Sequence, residues 1–236
     1  MADERSRQVA DRLAAVREQV AAAARAVDRS PDEVCLVVVT KTWPSSDTKI
    51  LHALGVRDVG ENRQQDVERK VAELAGLDDL TWHFIGQIQS NKAAKIAADS
   101  DVVHSVDSAK VARRLGDAAQ RYGRVLDCFI QVSLDPERAR SGRGGVTGAD
   151  LEAVADAVAS ASALRLVGVM GVAPLHGDAE AAYSELAGAS TRLRALHPDA
   201  TAVSAGMSAD FSLAIRAGAT HVRVGSAVLG ERPSLR

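Results

Sequence analysis

The apolar positions of this chain alternate between two rhythms. Residues 3–27 carry Val9, Leu13, Val16, Val20 and Val27 at helical spacing with charges between them, which predicts an amphipathic helix of about six turns. Asp28-Arg29-Ser30-Pro31 ends it. The stretch VCLVVVTKTWP, residues 34–44, is then a short run rich in β-branched residues, stopped by Pro44, and reads as a buried strand over 34–40. Pro44 fits the first position of a helix with Ile50, Leu51 and Leu54 inward and Gly55 at its end. A second strand is expected over 56–59. Asn62 follows it as a cap for a helix with Val67, Val71 and Leu74 on its inner face. Strands at 82–86 and 101–106 come next, each followed by a helix, the second capped by Asp107-Ser108 with Val111, Leu115, Ala118 and Tyr122 inward. A fifth strand covers 125–132.

SLDPERARSGRGGVT, residues 133–147, has no periodicity, and a loop of this length is usually functional or mobile. Beyond it the rhythm resumes. A helix at about 149–160, a strand at 164–171 and a helix at about 178–196 with Tyr183, Leu186, Leu193 and Leu196 inward lead to a short strand, TAVSA, at 201–205. GMSADFSLAIRAG reads as a loop, a Ser-capped helix and a Gly stop before the last strand, HVRVG, at 221–225. Eight strands alternating with helices predict an α/β fold, a single (β/α)8 TIM barrel with an extra N-terminal helix, with residues 1–236 forming one domain. The residues after strand eight are too few for a full helix, so the amino-terminal helix is expected to take that place.

Composition narrows the function classes. Hydrophobic residues at 46% and charged residues at 25% are those of an ordinary globular protein. A net charge of -2 argues against a nucleic-acid partner. Cys35 and Cys128 lie in apolar runs, as core residues rather than a disulfide or a metal pair. No apolar stretch approaches the roughly 18 residues of a membrane span. The amino terminus has acids and no apolar segment of secretory type, so a reducing, cytoplasmic setting is expected.

A barrel builds its site from the strand carboxyl ends and the loops after them. Lys41 falls at or just past the end of strand one, where desolvation would leave a neutral amine able to form a Schiff base with a carbonyl. The other five lysines fall in polar, helix-like segments. After strands seven and eight, Gly206 and Gly225 allow close backbone approach, while Ser204, Ser208 and Ser226 offer hydroxyls to an anion. Asp210 competes for the same positive potential. Arg223 lies between these loops and would disfavour protonation of a ring nitrogen beside it. Taken singly, each part has a plain alternative: a snorkelling lysine, turn glycines, a rim arginine in an ion pair. Together they suit pyridoxal phosphate, with its aldehyde, ring nitrogen and phosphate.

VVTKTWP, GENRQQD, WHFIGQIQSNK, HSVDS, GVMGVAP and SAGMSADFSLAIRAGATHVRVGSAVLG occur in this order between residue 34 and Gly230. On them the chain resembles the pyridoxal phosphate homeostasis protein family, relatives of the alanine racemase amino-terminal barrel. The resemblance implies pyridoxal phosphate as an internal aldimine on Lys41. It implies a phosphate held by the segment Ser204, Gly206, Met207 and Ser208 and by Gly225-Ser226, with Arg223 near the ring nitrogen and Asn62 near the ring. Three positions depart from the family's usual pattern. Arg63 stands where an aromatic residue usually follows GEN, Ala205 replaces a methionine before GMS, and Arg143-Gly144 stands for a lysine-glycine pair.

The function implied is to hold, buffer or deliver the cofactor, with apo-enzymes that use it as recipients and no turnover reaction of its own. The alternative is an amino-acid racemase, which needs a base on each face of the substrate alpha carbon. Tyr122 and Tyr183 are expected on helix faces away from the strand ends, leaving His83 and His104, which as strand histidines are more often core residues. A Schiff-base aldolase would need carboxylates, of which Glu61 is the one good candidate.

Overall fold

In the computed structural model, residues 2–135, 144–174 and 177–231 are described. Eight short strands form: β1 (Cys35–Val39), β2 (Asp58–Glu61), β3 (Thr81–Phe84), β4 (Val102–Val106), β5 (Leu126–Gln131), β6 (Leu164–Met170), β7 (Ala202–Ser204) and β8 (His221–Val224). They pair in parallel in chain order, and β8 closes on β1. Continuous apolar runs suit such strands, because helices cover one face and the barrel interior the other. Around them lie α1 (Ala2–Arg25), α2 (Ser45–Ala53), α3 (Gln64–Glu73), α4 (Ala93–Asp99), α5 (Ala109–Arg121), α6 (Gly148–Ala159), α7 (Ala179–Leu196), α8 (Phe211–Arg216) and the single turn α9 (Ser226–Leu229). The expected barrel is present. The stripe Val9, Leu13, Val16, Val20 and Ala24 of α1 is buried, and this helix packs on α8 and α9 in the place left after β8.

Several boundaries differ from expectation for identifiable reasons. Strand β2 starts at Asp58 rather than at residue 56, because Val56 still closes the turn that ends α2. Gly55 turns the chain at φ 79°, and the Val56 amide donates back to the Leu51 carbonyl at 3.0 Å. Pro44 occupies the N-cap of α2 in an extended conformation rather than its first turn. Asn62 caps nothing, since α3 begins at Gln64 with Arg63 at its N-cap. Ser208 likewise caps no helix, and Asp210 holds that position before α8. Tyr122 and Leu196 are exposed rather than inward, at 52% and 53%. Helical spacing identifies a face, but not where along the helix the covering layer stops.

Apolar side chains fill two layers. Val38, Leu51, Val59, Val67 and Phe84 pack between strands and helices, while Val102, Phe129 and Met170 form a small cluster inside the barrel. Polar side chains share that interior, with His83, His104, Ser204 and Arg223 all buried. Both cysteines are free thiols. Among the described residues, no helix is long and apolar enough to cross a membrane. Residues 136–143 of the Arg/Gly-rich stretch, including Arg143, lie outside the described residues.

Candidate functional site

Lys41 lies two residues past the end of β1. The strand stops at Val39 and the chain turns, with the Trp43 amide donating to the Thr40 carbonyl at 3.0 Å and Thr42 held at φ 71°. A β-branched residue with positive φ is costly and persists only where its surroundings impose it. The amino-terminal helix braces the residues that follow Thr42. Arg5 of α1 donates to both carboxylate oxygens of Asp47 at 3.1 and 2.9 Å and to the Leu229 carbonyl at 3.1 Å. Its guanidinium also lies 4.6 Å from the centre of the Trp43 ring. One side chain therefore ties the Lys41 turn to α9. Lys41 is half-buried.

Below this turn is a buried ion pair that the charge pattern did not foretell. Lys70, expected on a polar helix, is fully buried: its ammonium donates to Glu61 Oε1 at 2.6 Å and to the Thr40 carbonyl at 2.8 Å. The Thr40 hydroxyl donates to the same Glu61 oxygen at 2.5 Å. Burial raises the Glu61 carboxyl, opposed by the charge and hydrogen bond of Lys70 and by the bond from Thr40. With its ammonium held in this cage, Lys70 braces the carbonyl that precedes Lys41. Glu61 is spent in the same pair, which leaves the aldolase reading without its carboxylate.

The loops after β7 and β8 meet on one oxygen. The Gly225 and Ala227 amides both point at Ser208 Oγ, at 3.3 and 3.4 Å. Two amides converging through long hydrogen bonds form the kind of nest that accepts an anionic oxygen. The Arg223 amide donates to the Gly206 carbonyl at 3.0 Å, which fixes the loop after β7 to β8. Gly206 has φ 89°, and a Cβ there would lie 2.7 Å from Phe211 Cα and 2.8 Å from Ala214 Cβ. Gly206→Ala should therefore lower stability by about 2–3 kcal/mol in urea unfolding. An unchanged midpoint would mean that the loop relaxes at no cost. Met207 and Ser226 are exposed at the rim, and Met207 is 39% exposed.

Ser204 lies elsewhere than the phosphate reading expects. Its hydroxyl faces the barrel interior, fully buried, accepting from Arg223 Nη1 at 2.6 Å and standing 2.8 Å from His104 Nδ1. A second arm of Arg223 donates to the Gly171 carbonyl at 2.9 Å. Burial lowers the guanidinium pKa to about 10, with Tyr183 and Asp210 pulling it up, so it stays charged at neutral pH. Tyr183 also departs from expectation. It extends from α7 to the loop after β7, where its hydroxyl donates to Asp210 Oδ2 at 2.7 Å, while Asp210 Oδ1 accepts from the Met207 amide at 2.6 Å. Burial, followed by the bond to Asp210, raises the Tyr183 hydroxyl.

The residues thus group around the mouth shared by β7, β8 and β1. In the β1–β8 register Val37 lies beside Arg223 and Val38 beside Val224, so the turn carrying Lys41 emerges next to the Gly225–Ala227 amides. A Cβ on Gly225 would come within 3.2 Å of the Val39 carbonyl oxygen, so the two loops nearly touch. Asn62 stands across the mouth after β2, packed so closely that a side chain at Gly86 would strike its carbonyl. An amine, a cation and an amide nest at adjoining strand ends are a donor set that fits an aldehyde, a ring nitrogen and a phosphate.

The family described as "Alanine racemase, N-terminal domain" matches residues 12–233. A protein named pyridoxal phosphate homeostasis protein from Mycobacterium tuberculosis is 38% identical over 244 residues, spanning 97% of this chain and 95% of its own length. One of the same name from Escherichia coli is 35% identical over 229 residues, spanning 95% and 97%. Among solved structures, PipY of Synechococcus elongatus with pyridoxal phosphate bound superposes with a TM-score of 0.82 at 36% identity, covering 94% of this chain and all of PipY.

Proposed function

The chain belongs to the alanine racemase N-terminal domain family and, within it, to the pyridoxal phosphate homeostasis proteins, and from that premise we propose that it binds pyridoxal phosphate at the barrel mouth and serves its homeostasis. Bound there, pyridoxal phosphate supplies an aldehyde that condenses reversibly with an amine. The observation that carries this reading is the Lys41 turn lying one strand away from the two amides that converge on Ser208 Oγ. Lys41 offers its amine, the Gly225 and Ala227 amides receive the phosphate, and Arg223 faces the ring nitrogen as a cation. Asn62, Met207 and Ser226 border the same opening. A cation at that nitrogen disfavours its protonation and weakens the cofactor as an electron sink, which suits a holder better than a catalyst. Delivery to apo-enzymes and a cytoplasmic setting belong to the same proposal, the latter supported by two free thiols.

The racemase alternative needs a second base at the mouth. The tyrosine that comes near, Tyr183, donates its proton to Asp210 and is held protonated by burial, so it is ill suited to that work. Borohydride reduction of the loaded protein should add a pyridoxyl mass to the peptide containing Lys41. A label on another lysine, or no label, would overturn the assignment. Chiral analysis after incubation with D- or L-alanine should show no interconversion beyond that of free cofactor, and sustained racemisation would favour the alternative.

A further inference from the structure

Inside the barrel, below the mouth, five polar side chains form a chain of hydrogen bonds. Asp58 Oδ1 lies 3.0 Å from His83 Nε2, His83 Nδ1 lies 2.9 Å from His104 Nε2, and His104 Nδ1 lies 2.8 Å from Ser204 Oγ, which accepts from Arg223. The five residues come from β2, β3, β4, β7 and β8. Asp58 begins β2 at the amino-terminal opening, with its side chain 34% exposed in a groove that Arg17, Cys35 and Arg57 also line. The other members are buried. Phe129 stacks on His104, its ring centre 4.5 Å away, and holds the imidazole in plane.

Hydrogen-bond satisfaction gives this chain a direction. Arg223 can only donate, so Ser204 Oγ spends a lone pair on it. The Ser204 hydroxyl proton then needs an acceptor, and among the described residues the remaining partner of this buried oxygen is His104 Nδ1. An Nδ1 that accepts places the proton of a neutral His104 on Nε2. Burial first, then the nearby His83, Arg223 and His221, keeps His104 neutral. His104 Nε2–H donates to His83 Nδ1, and His83 donates from Nε2 to the Asp58 carboxylate. Every proton points from Arg223 towards Asp58.

We propose that Asp58, His83 and His104 are positioning residues that act through Ser204, a one-way hydrogen-bond relay across the barrel that aims the Arg223 guanidinium at the cofactor ring. The role of Arg223 rests on the function proposed above, whereas the direction of the relay does not. A carboxylate at the far end fixes the tautomer of both imidazoles, as carboxylate–histidine pairs do behind metal ligands. Ser204 is thereby held with a lone pair towards Arg223, and the Gly171 carbonyl fixes the second arm.

Two measurements test the relay separately. Long-range 1H–15N correlation spectra of the cofactor-free protein at neutral pH should show both His83 and His104 protonated on Nε2 alone. A proton on Nδ1 of either ring overturns the relay, whatever the protein binds. In the loaded protein, His104→Phe keeps the stacking on Phe129 but breaks the chain. His104→Gln offers an oxygen and an N–H in place of the two ring nitrogens and can restore the direction. The Phe variant should lose cofactor roughly tenfold faster on dilution, and the Gln variant within about twofold of the parent rate. Equal loss from both variants, or from neither, overturns the positioning role. A parent that takes up no pyridoxal phosphate refutes the proposed function and with it the role toward the ring, while the tautomers still report on the relay.

Discussion

Lys41→Ala should abolish the visible absorbance of the cofactor-loaded protein, with the thermal midpoint of the cofactor-free form moving by no more than about 2 °C. The residue lies in a turn past the end of β1, half-buried and outside both apolar clusters, so its loss opens no cavity in the core. The turn is flanked by the contacts of Arg5 with Asp47 and Trp43, which the substitution leaves in place. Lys70, which bonds the carbonyl just before Lys41, is fully buried and committed to Glu61 and the Thr40 carbonyl. Lys41→Arg should fail in the same way, because a guanidinium keeps the charge without a nucleophilic amine. Visible absorbance that survives in Lys41→Ala would place the linkage elsewhere and sink the site.

Lys70→Met should cost about 3–5 kcal/mol of stability at neutral pH, the usual result of removing one partner from a buried ion pair. The Glu61 carboxylate would stay in place with no cation beside it. Among the described residues, its Oε2 already lacks a hydrogen-bond partner. The loss should carry a pH signature of defined sign. Burial raises the Glu61 carboxyl, and removing Lys70 removes the main opposing influence, so the folded variant binds a proton more tightly than its unfolded chain. Stability from such a group is fully present below the unfolded pKa and is lost as pH rises through the folded one. The variant should therefore regain stability between neutral pH and about pH 5, where the parent changes less. Glu61→Leu combined with Lys70→Met removes both charges and should recover most of the loss. Urea unfolding at the two pH values decides the matter, and a deficit that is the same at both would show that Glu61 is not the group left behind.

How far the fold was legible follows from what sets each element. The order of strands and helices is written in the period of apolar positions, and so is the placement of α1 beside α8 and α9, since Val9, Leu13, Val16 and Val20 form one stripe. Lys41 could be found because it ends a continuous apolar run. The spacing of Lys70 carries a signal of its burial: it sits three residues after Val67 and four before Leu74, on the buried stripe of α3. Its charge, the usual mark of a solvent-facing position, points the other way. The inward turn of Ser204 follows from strand alternation only once Val203 is known to face the helices, which a strand of three residues does not announce. Tyr183 was assigned correctly to the inner face of α7. Its hydroxyl, though, extends beyond that layer to Asp210, a contact between residues 27 positions apart.

By itself the sequence determined the local quantities: where strands and helices fall, which face of each is apolar, and which residues end the strands that surround the mouth. These depend on neighbours a few positions apart and on the chemistry of each side chain. Only the tertiary structure decided which polar groups meet. The ion pair of Glu61 with Lys70, the amides converging on Ser208, and the chain from Asp58 to Arg223 each join separate strands, helices or loops. Their energies depend on ångström distances set by barrel closure and register, and a buried polar group has no way to announce in one dimension the partner that satisfies it.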